Sequence, residues 1–203
     1  MTDDFAVLRA QVAADPENAA MTDIGWAPVF SGSSTARVAI VGQAPGRRAQ
    51  ESGTPFDDAS GDRLVRWLGV SREEFHDPAK FAIVPMDFYF PGKGTSGDAP
   101  PRPSFAPRWH PLVFEMLTEV RLTILVGAYA QRHYLGNRRR ASLTETVRAY
   151  RDYLPEIMPI VHPSGLNARW LAANPWFEAE VVPELRGLVM RAITTTVRDQ
   201  PAS

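Results

Sequence analysis

The chain has 203 residues, 44% of them hydrophobic and 22% charged, with a net charge of −1 and no cysteine. This composition excludes a mostly disordered chain, a collagen-like repeat and a simple coiled coil, and the absence of thiols excludes disulfides, zinc–thiolate sites and cysteine-held iron–sulfur clusters. Total charge does not speak for or against a polyanionic partner, but residues 102–151 hold nine arginines and three acids, whereas the rest holds 13 bases and 20 acids. A basic section of this kind can steer a polyanion, although a solvated helical face would look the same.

The N-terminus is acidic and has no apolar leader-like run, and no stretch approaches the ~20 apolar residues of a membrane span, so no membrane partner and a cytoplasmic location are expected. Residues 3–14 read as a short amphipathic helix with Phe5, Val7, Leu8 and Val12 apolar. A turn-rich stretch follows to Ser34. Then RVAIVG (37–42) is a short β-branched run closed by glycine, the pattern of a buried parallel strand. FAIVP (81–85), LTILVG (122–127) and EIMPIV (156–161) share it. Helical periodicity lies between and after them, at 61–70, 109–120, 143–154 and 175–193, the last opened by Asn174-Pro175. Strands alternating with helices predict an α/β fold, with a central, mainly parallel four-stranded sheet and helices on both faces. One domain over 1–203 is expected, with its core at about 36–193. Residues 88–107 hold five prolines. A loop this long inside a compact domain is usually functional or disordered.

Ligands of open α/β sheets bind beyond the carboxyl ends of the strands, which directs attention to three loops. Gly42-Gln43-Ala44-Pro45-Gly46 follows the first strand and permits a tight turn with exposed N–H groups; an ordinary strand-to-helix turn has the same composition. Phe56, in the turn before the 61–70 helix, is either a stacking platform for a base or a plug for the core. His162-Pro163-Ser164-Gly165-Leu166-Asn167 follows the last strand, where an imidazole can donate to a developing oxyanion. Lone histidines are more often structural, but one facing a glycine–proline turn is a better candidate. His76, His110 and His133 show no metal-ligand spacing, so no metal is expected. Gly92-Lys93-Gly94 lacks the spacing of a P-loop, and no Gly-x-Ser-x-Gly elbow is present, which argues against a nucleotide-binding module or a small-molecule hydrolase.

Taken together, Gly42-Gln43-Ala44-Pro45-Gly46, Gly53-x-Pro55-Phe56, Gly61-x-x-Leu64 and His162-Pro163-Ser164-x-Leu166-Asn167 resemble the two motifs of the uracil-DNA glycosylase superfamily, in the style of its family 4, over roughly 36–190. The resemblance implies a three-layer α/β/α sandwich, uracil-containing DNA (single- or double-stranded) as partner, a monomer, and excision of an extruded uracil without a cofactor. It assigns His162 and Gln43 to catalysis. It assigns Gly42, Ala44, Phe56 and Asp87 to the base, and Pro45, Gly46, Ser164, Gly165, Leu166 and Asn167 to DNA, with Leu166 filling the gap in the stack. The basic segment 102–151 would hold phosphates. The chain departs from the family in four ways. The four cysteines of the family-4 cluster are missing, Gln43 stands where the first motif usually has glutamate, Ala44 stands where a water-directing aspartate is found in the best-known branch, and Val84-Pro85-Met86-Asp87 lacks the uracil-reading asparagine. Asp57, Asp58 and Asp87 are then the acids left to orient water. A glycosylase for another deaminated or mismatched base, and a catalytically weak DNA-binding protein on the same fold, remain open alternatives.

Overall fold

A computed structural model of the chain describes residues 4–194; the expected helix start at residue 3 and the two ends of the 1–203 domain lie outside the described residues. In chain order the main elements are α1 (Asp4–Ala14), α2 (Ala19–Asp23), β1 (Val38–Val41), α3 (Arg47–Ser52), α4 (Ala59–Leu68), α5 (Arg72–Phe75) and β2 (Phe81–Ile83). They are followed by α6 (Phe105–Met116), β3 (Leu122–Val126), α7 (Ala128–Leu135), α8 (Leu143–Arg148), β4 (Ile157–Ile160), α9 (Ala168–Ala173) and α10 (Val182–Thr194).

The four strands form one all-parallel sheet in the order β2-β1-β3-β4. Their near-complete burial explains why each reads as a continuous apolar run instead of an alternating one. Alternate side chains feed opposite faces. Val38, Ile40, Phe81, Ile83, Leu122, Ile124, Val126, Met158 and Ile160 pack with Leu64, Leu68, Phe75, Leu185 and Val189 from α4, α5 and α10. On the other face Ala82 and Val84 meet Phe5, Leu8 and Val12 of α1 and Phe105, Trp109 and Val113 of α6. Val41 and Leu125 meet Ala130 and Leu135 of α7. The result is the expected three-layer α/β/α architecture.

Local chemistry sets the helix ends. Asp58 caps α4 through its Oδ1, which accepts from the Gly61 N–H at 2.9 Å, and Gly69 closes it with φ +73°. Ser71 with Glu74, and Ser142 with Glu145, form capping boxes on α5 and α8. α6 starts at Phe105, four residues before the expected 109, and ends at Met116, ahead of the expected 120. Pro107 lies in its first turn, where no intrahelical N–H is required. The expected 143–154 helix breaks after Arg148 into a 3₁₀ turn, and 177–181 form a π-helical turn ahead of α10. No described helix is long and apolar enough to cross a membrane.

Candidate active site

Three loops leave the carboxyl ends of β1, β2 and β4 on the same edge of the sheet, where ligands of open α/β folds are held. They enclose a cavity of about 260 Å³, just below the roughly 300–1,000 Å³ usual for ligand clefts. Gly42, Gln43, Ala44, Pro45 and Gly46 line it from the first loop, and Pro55, Phe56, Asp58 and Ser60 from the turn into α4. His162, Ser164, Leu166 and Asn167 line it from the last loop. Two neighbouring segments and one more than 100 residues further along the chain therefore converge. The β2 side contributes Ile83 and Pro85, and the 88–107 segment contributes Ser96 and Asp98.

The position of Phe56 is enforced. Its backbone has φ +56°, left-handed for a residue with a side chain, a conformation that costs of order 1–3 kcal/mol and persists only where its surroundings over-determine it. Those surroundings are on α4 and α5. Arg72 donates to the Phe56 carbonyl at 3.0 Å, and His76 Nε2 donates to the Pro55 carbonyl at 3.0 Å. Gly61 accommodates the turn because a Cβ there would lie 1.8 Å from the Phe56 oxygen. The ring packs edge-on against Phe75 and reaches Gly42, where a Cβ would stand 3.1 Å from its Cζ. Phe56 is thus half-buried, one part against the core and one part in the cavity wall.

His162 is held in one tautomer. The Ser164 N–H donates to its Nδ1 at 3.2 Å, so in the neutral ring the proton sits on Nε2. Burial pushes its pKa below the ordinary histidine value, against the opposing pull of Asp58 and Asp98, so the ring is mainly neutral at pH 7. The loop around it is laced to itself and to α4. Asn167 Nδ2 donates to the His162 carbonyl at 2.8 Å, and Arg63 donates to the carbonyls of Pro163 and Ser164 at 3.1 and 3.2 Å. Gly127, at φ +84°, lets β3 approach: a Cβ there would be 3.2 Å from the Cβ of His162. The site therefore holds an uncharged N–H donor in one cavity with an aromatic ring and a glycine–proline turn.

Asp87 is not where it was expected, and groups of Gln43 and Ser164 already have partners. Asp87 does not line the cavity. It is 1% exposed and its carboxylate is taken by Arg102, which donates from Nε to Oδ2 at 2.7 Å and from Nη2 to Oδ1 at 2.9 Å, and by the N–H groups of Tyr89 and Arg102. A carboxylate saturated this way braces the chain and has little left for a base or a water. The Gln43 side chain, which lines the cavity, is also engaged: one N–H of its Nε2 donates to the Ala99 carbonyl at 3.0 Å, so it fastens the 88–107 segment. The Ser164 N–H is used on His162 and so is not free for a phosphate. Gly165 is exposed and outside the cavity lining. Leu166 is 70% exposed. Asp57 pairs loosely with Arg48 and Arg72.

The basic segment is partly spent inside the molecule: Arg102 on Asp87, Arg108 on Asp15, Arg140 on Asp152. The exposed arginines nearest the cavity follow its loops instead, Arg47 and Arg48 after Gly46 and Arg169 after Asn167.

The 88–107 segment divides the work expected of it. Phe88, Tyr89 and Phe90 are buried in the core, and residues 92–99 fold into a tight hairpin, with the Gly94 N–H on the Gly97 carbonyl and the Ala99 N–H on the Gly92 carbonyl, both at 2.9 Å. The hairpin stands against Leu166: a Cβ on Gly97 would be 2.8 Å from Leu166 Cδ1. Asp98, Ser96, Arg63 and Gly127 were not among the expected site residues. Their only sequence signal is position, in the loop after β2, on the helix after the Phe56 turn and at the end of β3. Among the described residues no group of three or more His, Cys, Asp or Glu could hold a metal ion, and without cysteine the chain does not fit a thiolate-held cluster.

The fold is similar to that of a candidate uracil DNA glycosylase of Methanosarcina acetivorans solved by solution NMR, over 79% of this chain and 98% of that one, at 13% identity and a TM-score of 0.46. The family model of the uracil DNA glycosylase superfamily matches residues 29–186. That match takes in every loop of the cavity, from Val29 to Asn167, and by it the chain belongs to the uracil DNA glycosylase superfamily.

Proposed function

We propose that the protein excises uracil from DNA by hydrolysing the N-glycosidic bond. The observation that carries this reading is the neutral, Nε2-protonated His162 sharing one small cavity with Phe56 and the Gly42–Gly46 turn. A target base inside a duplex must first be swung out, at a cost of a few kcal/mol that is smaller for mismatched or unpaired bases. Leu166, exposed at the mouth, would fill the vacated place in the stack. Arg47, Arg48 and Arg169 would meet phosphates at the rim. Phe56 would stack on the base, and the Ala44 and Gly46 N–H groups would meet its polar edge.

As the C1′–N1 bond lengthens, negative charge gathers on the base, including O2. An Nε2–H aimed at that oxygen stabilises the departing anion, and a neutral ring does so without losing its proton. One such donor is worth about 2.7–4 kcal/mol. His162→Ala should therefore slow single-turnover uracil release by about 10²–10³-fold while leaving DNA affinity nearly unchanged. Equal loss of both would make His162 a structural residue.

A second reading has its own support. The β2 end presents Ile83 and Pro85, with no side-chain amide to tell uracil from other bases. A glycosylase for another deaminated or mismatched base fits that wall as well. Release from oligonucleotides carrying uracil, hypoxanthine, xanthine or mispaired thymine separates the two. No release from any of them would leave a DNA-binding protein.

A further inference from the structure

Resting on the glycosylase reading, we infer that Asp98 is the catalytic carboxylate that holds and deprotonates the attacking water, delivered from the 92–99 hairpin to replace the group Ala44 cannot supply. Four observations converge on it. Asp98 lines the same cavity as His162 and Phe56. Its Oδ1 is tied to Lys93 at 2.7 Å, and its Oδ2 reaches 3.8 Å from where a Cβ of Gly46 would stand, which puts that oxygen over the turn containing Ala44. The hairpin that carries it is fastened to the same turn by the Gln43–Ala99 hydrogen bond at 3.0 Å. Its neighbour Gly97 packs on Leu166, the exposed residue at the mouth, so Asp98 lies on the side from which a sugar would enter.

Asp58 is the rival carboxylate in the cavity. Its Oδ2 is as near the turn as that of Asp98, 3.3 Å from where a Cβ of Gly46 would stand, but its Oδ1 is committed to capping α4 through the Gly61 N–H, and it has no contact with Leu166 like the one Gly97 gives the Asp98 hairpin. C1′ of an extruded nucleotide lies toward the mouth, beside the DNA strand, which favours Asp98.

The reaction balances with these groups alone. Water held by Asp98 Oδ2 adds its oxygen to C1′ as the C1′–N1 bond breaks. The bonding pair leaves on the base, whose charge meets the His162 Nε2–H. One water proton passes to Asp98 and then, through solvent, to the base anion. The other stays on the new hydroxyl of the abasic sugar.

The test is single-turnover excision from a uracil-containing single strand, with DNA affinity measured in parallel, for wild type, Asp98→Asn and Asp58→Asn. Asparagine keeps an oxygen for Lys93, so the hairpin contact survives. Asp98→Asn should slow excision about 10²-fold or more, the scale of general base catalysis. It should bind DNA at least as tightly, since one charge repelling phosphate is gone. Formate added to Asp98→Ala should restore part of the rate, which it cannot do if the residue only braces the hairpin. A full rate in Asp98→Asn, a larger loss in Asp58→Asn, a loss shared equally by DNA affinity, or no formate rescue would overturn the assignment. Base release by wild type but not by His162→Ala, with Asp98→Asn at full rate, would remove Asp98 and leave the glycosylase reading intact. No release by wild type from any damaged base would remove both.

Discussion

The left-handed backbone of Phe56 places a side chain where a Cβ is disfavoured by about 1–2 kcal/mol. Glycine would relieve that strain, offset by its greater freedom in the unfolded chain. Phe56→Gly should therefore be more stable than Phe56→Ala by about 0.5–1 kcal/mol in urea unfolding. Both should weaken productive binding of the extruded base, by roughly 5- to 150-fold for a stacking contact worth about 1–3 kcal/mol. A Phe56→Ala protein as stable as Phe56→Gly would mean the turn does not hold the strain. At this scale the sequence was legible for groups whose placement follows from their own loop, such as His162 and Phe56, which both line the cavity. It misled where the partner lies elsewhere in the chain. Arg102 claims Asp87 across 15 residues and Ala99 claims the Gln43 amide across 56, and no periodicity reports who pairs with whom.

Arg63 shows how one element serves another. From α4 it binds two successive carbonyls of the β4–α9 loop, whose Ser164 N–H sets the tautomer of His162. Hydrogen bonds to a charged donor are worth about 1.5–3 kcal/mol. Arg63→Ala should thus slow excision roughly tenfold while DNA affinity falls less. Nitrogen NMR of the imidazole should show the Nε2–H form giving way to a mixture. An unchanged nitrogen spectrum beside a slower rate would mean Arg63 acts on DNA directly. Among elements, the four strands stood where the apolar runs put them, because full burial imprints itself on composition. The short α3 and α7 were not anticipated. RRAQES and AYAQRHYL carry too few apolar residues for a helical period to show, and they are helical because of where β1 and β3 deliver them.

For the molecule as a whole, a group outside the cavity contributes to acid sensitivity beside His162. His110, on α6, donates from Nε2 to the Pro85 carbonyl at 3.0 Å and accepts from the Tyr134 hydroxyl at 2.6 Å. Burial pushes its pKa down from 6.5 to about 4, assisted by His133 and opposed by the Pro85 bond. The unfolded chain takes up that proton near pH 6.5 and the folded one only near 4, so its stabilisation is complete above 6.5 and is lost as pH falls between those values. The loss approaches about 3 kcal/mol. Urea unfolding at a series of pH values should show wild type losing stability across this window more steeply than His110→Gln; parallel curves would refute the assignment. The layered architecture and the sheet edge bearing the cavity followed from strand–helix alternation. The use of the basic segment did not, because a run of arginines does not disclose that some are matched by acids such as Asp15 and Asp87 from other parts of the chain.

Between the hairpin and the β4–α9 loop, the leucine at the entrance rests against a residue that has no side chain. Residue 97 also has φ +86°, so any side chain there would be strained as well as pressed against Leu166. A change at this one position would reach both Leu166 and the neighbouring Asp98, so entry to the cavity and the chemistry inside it are joined through a single glycine.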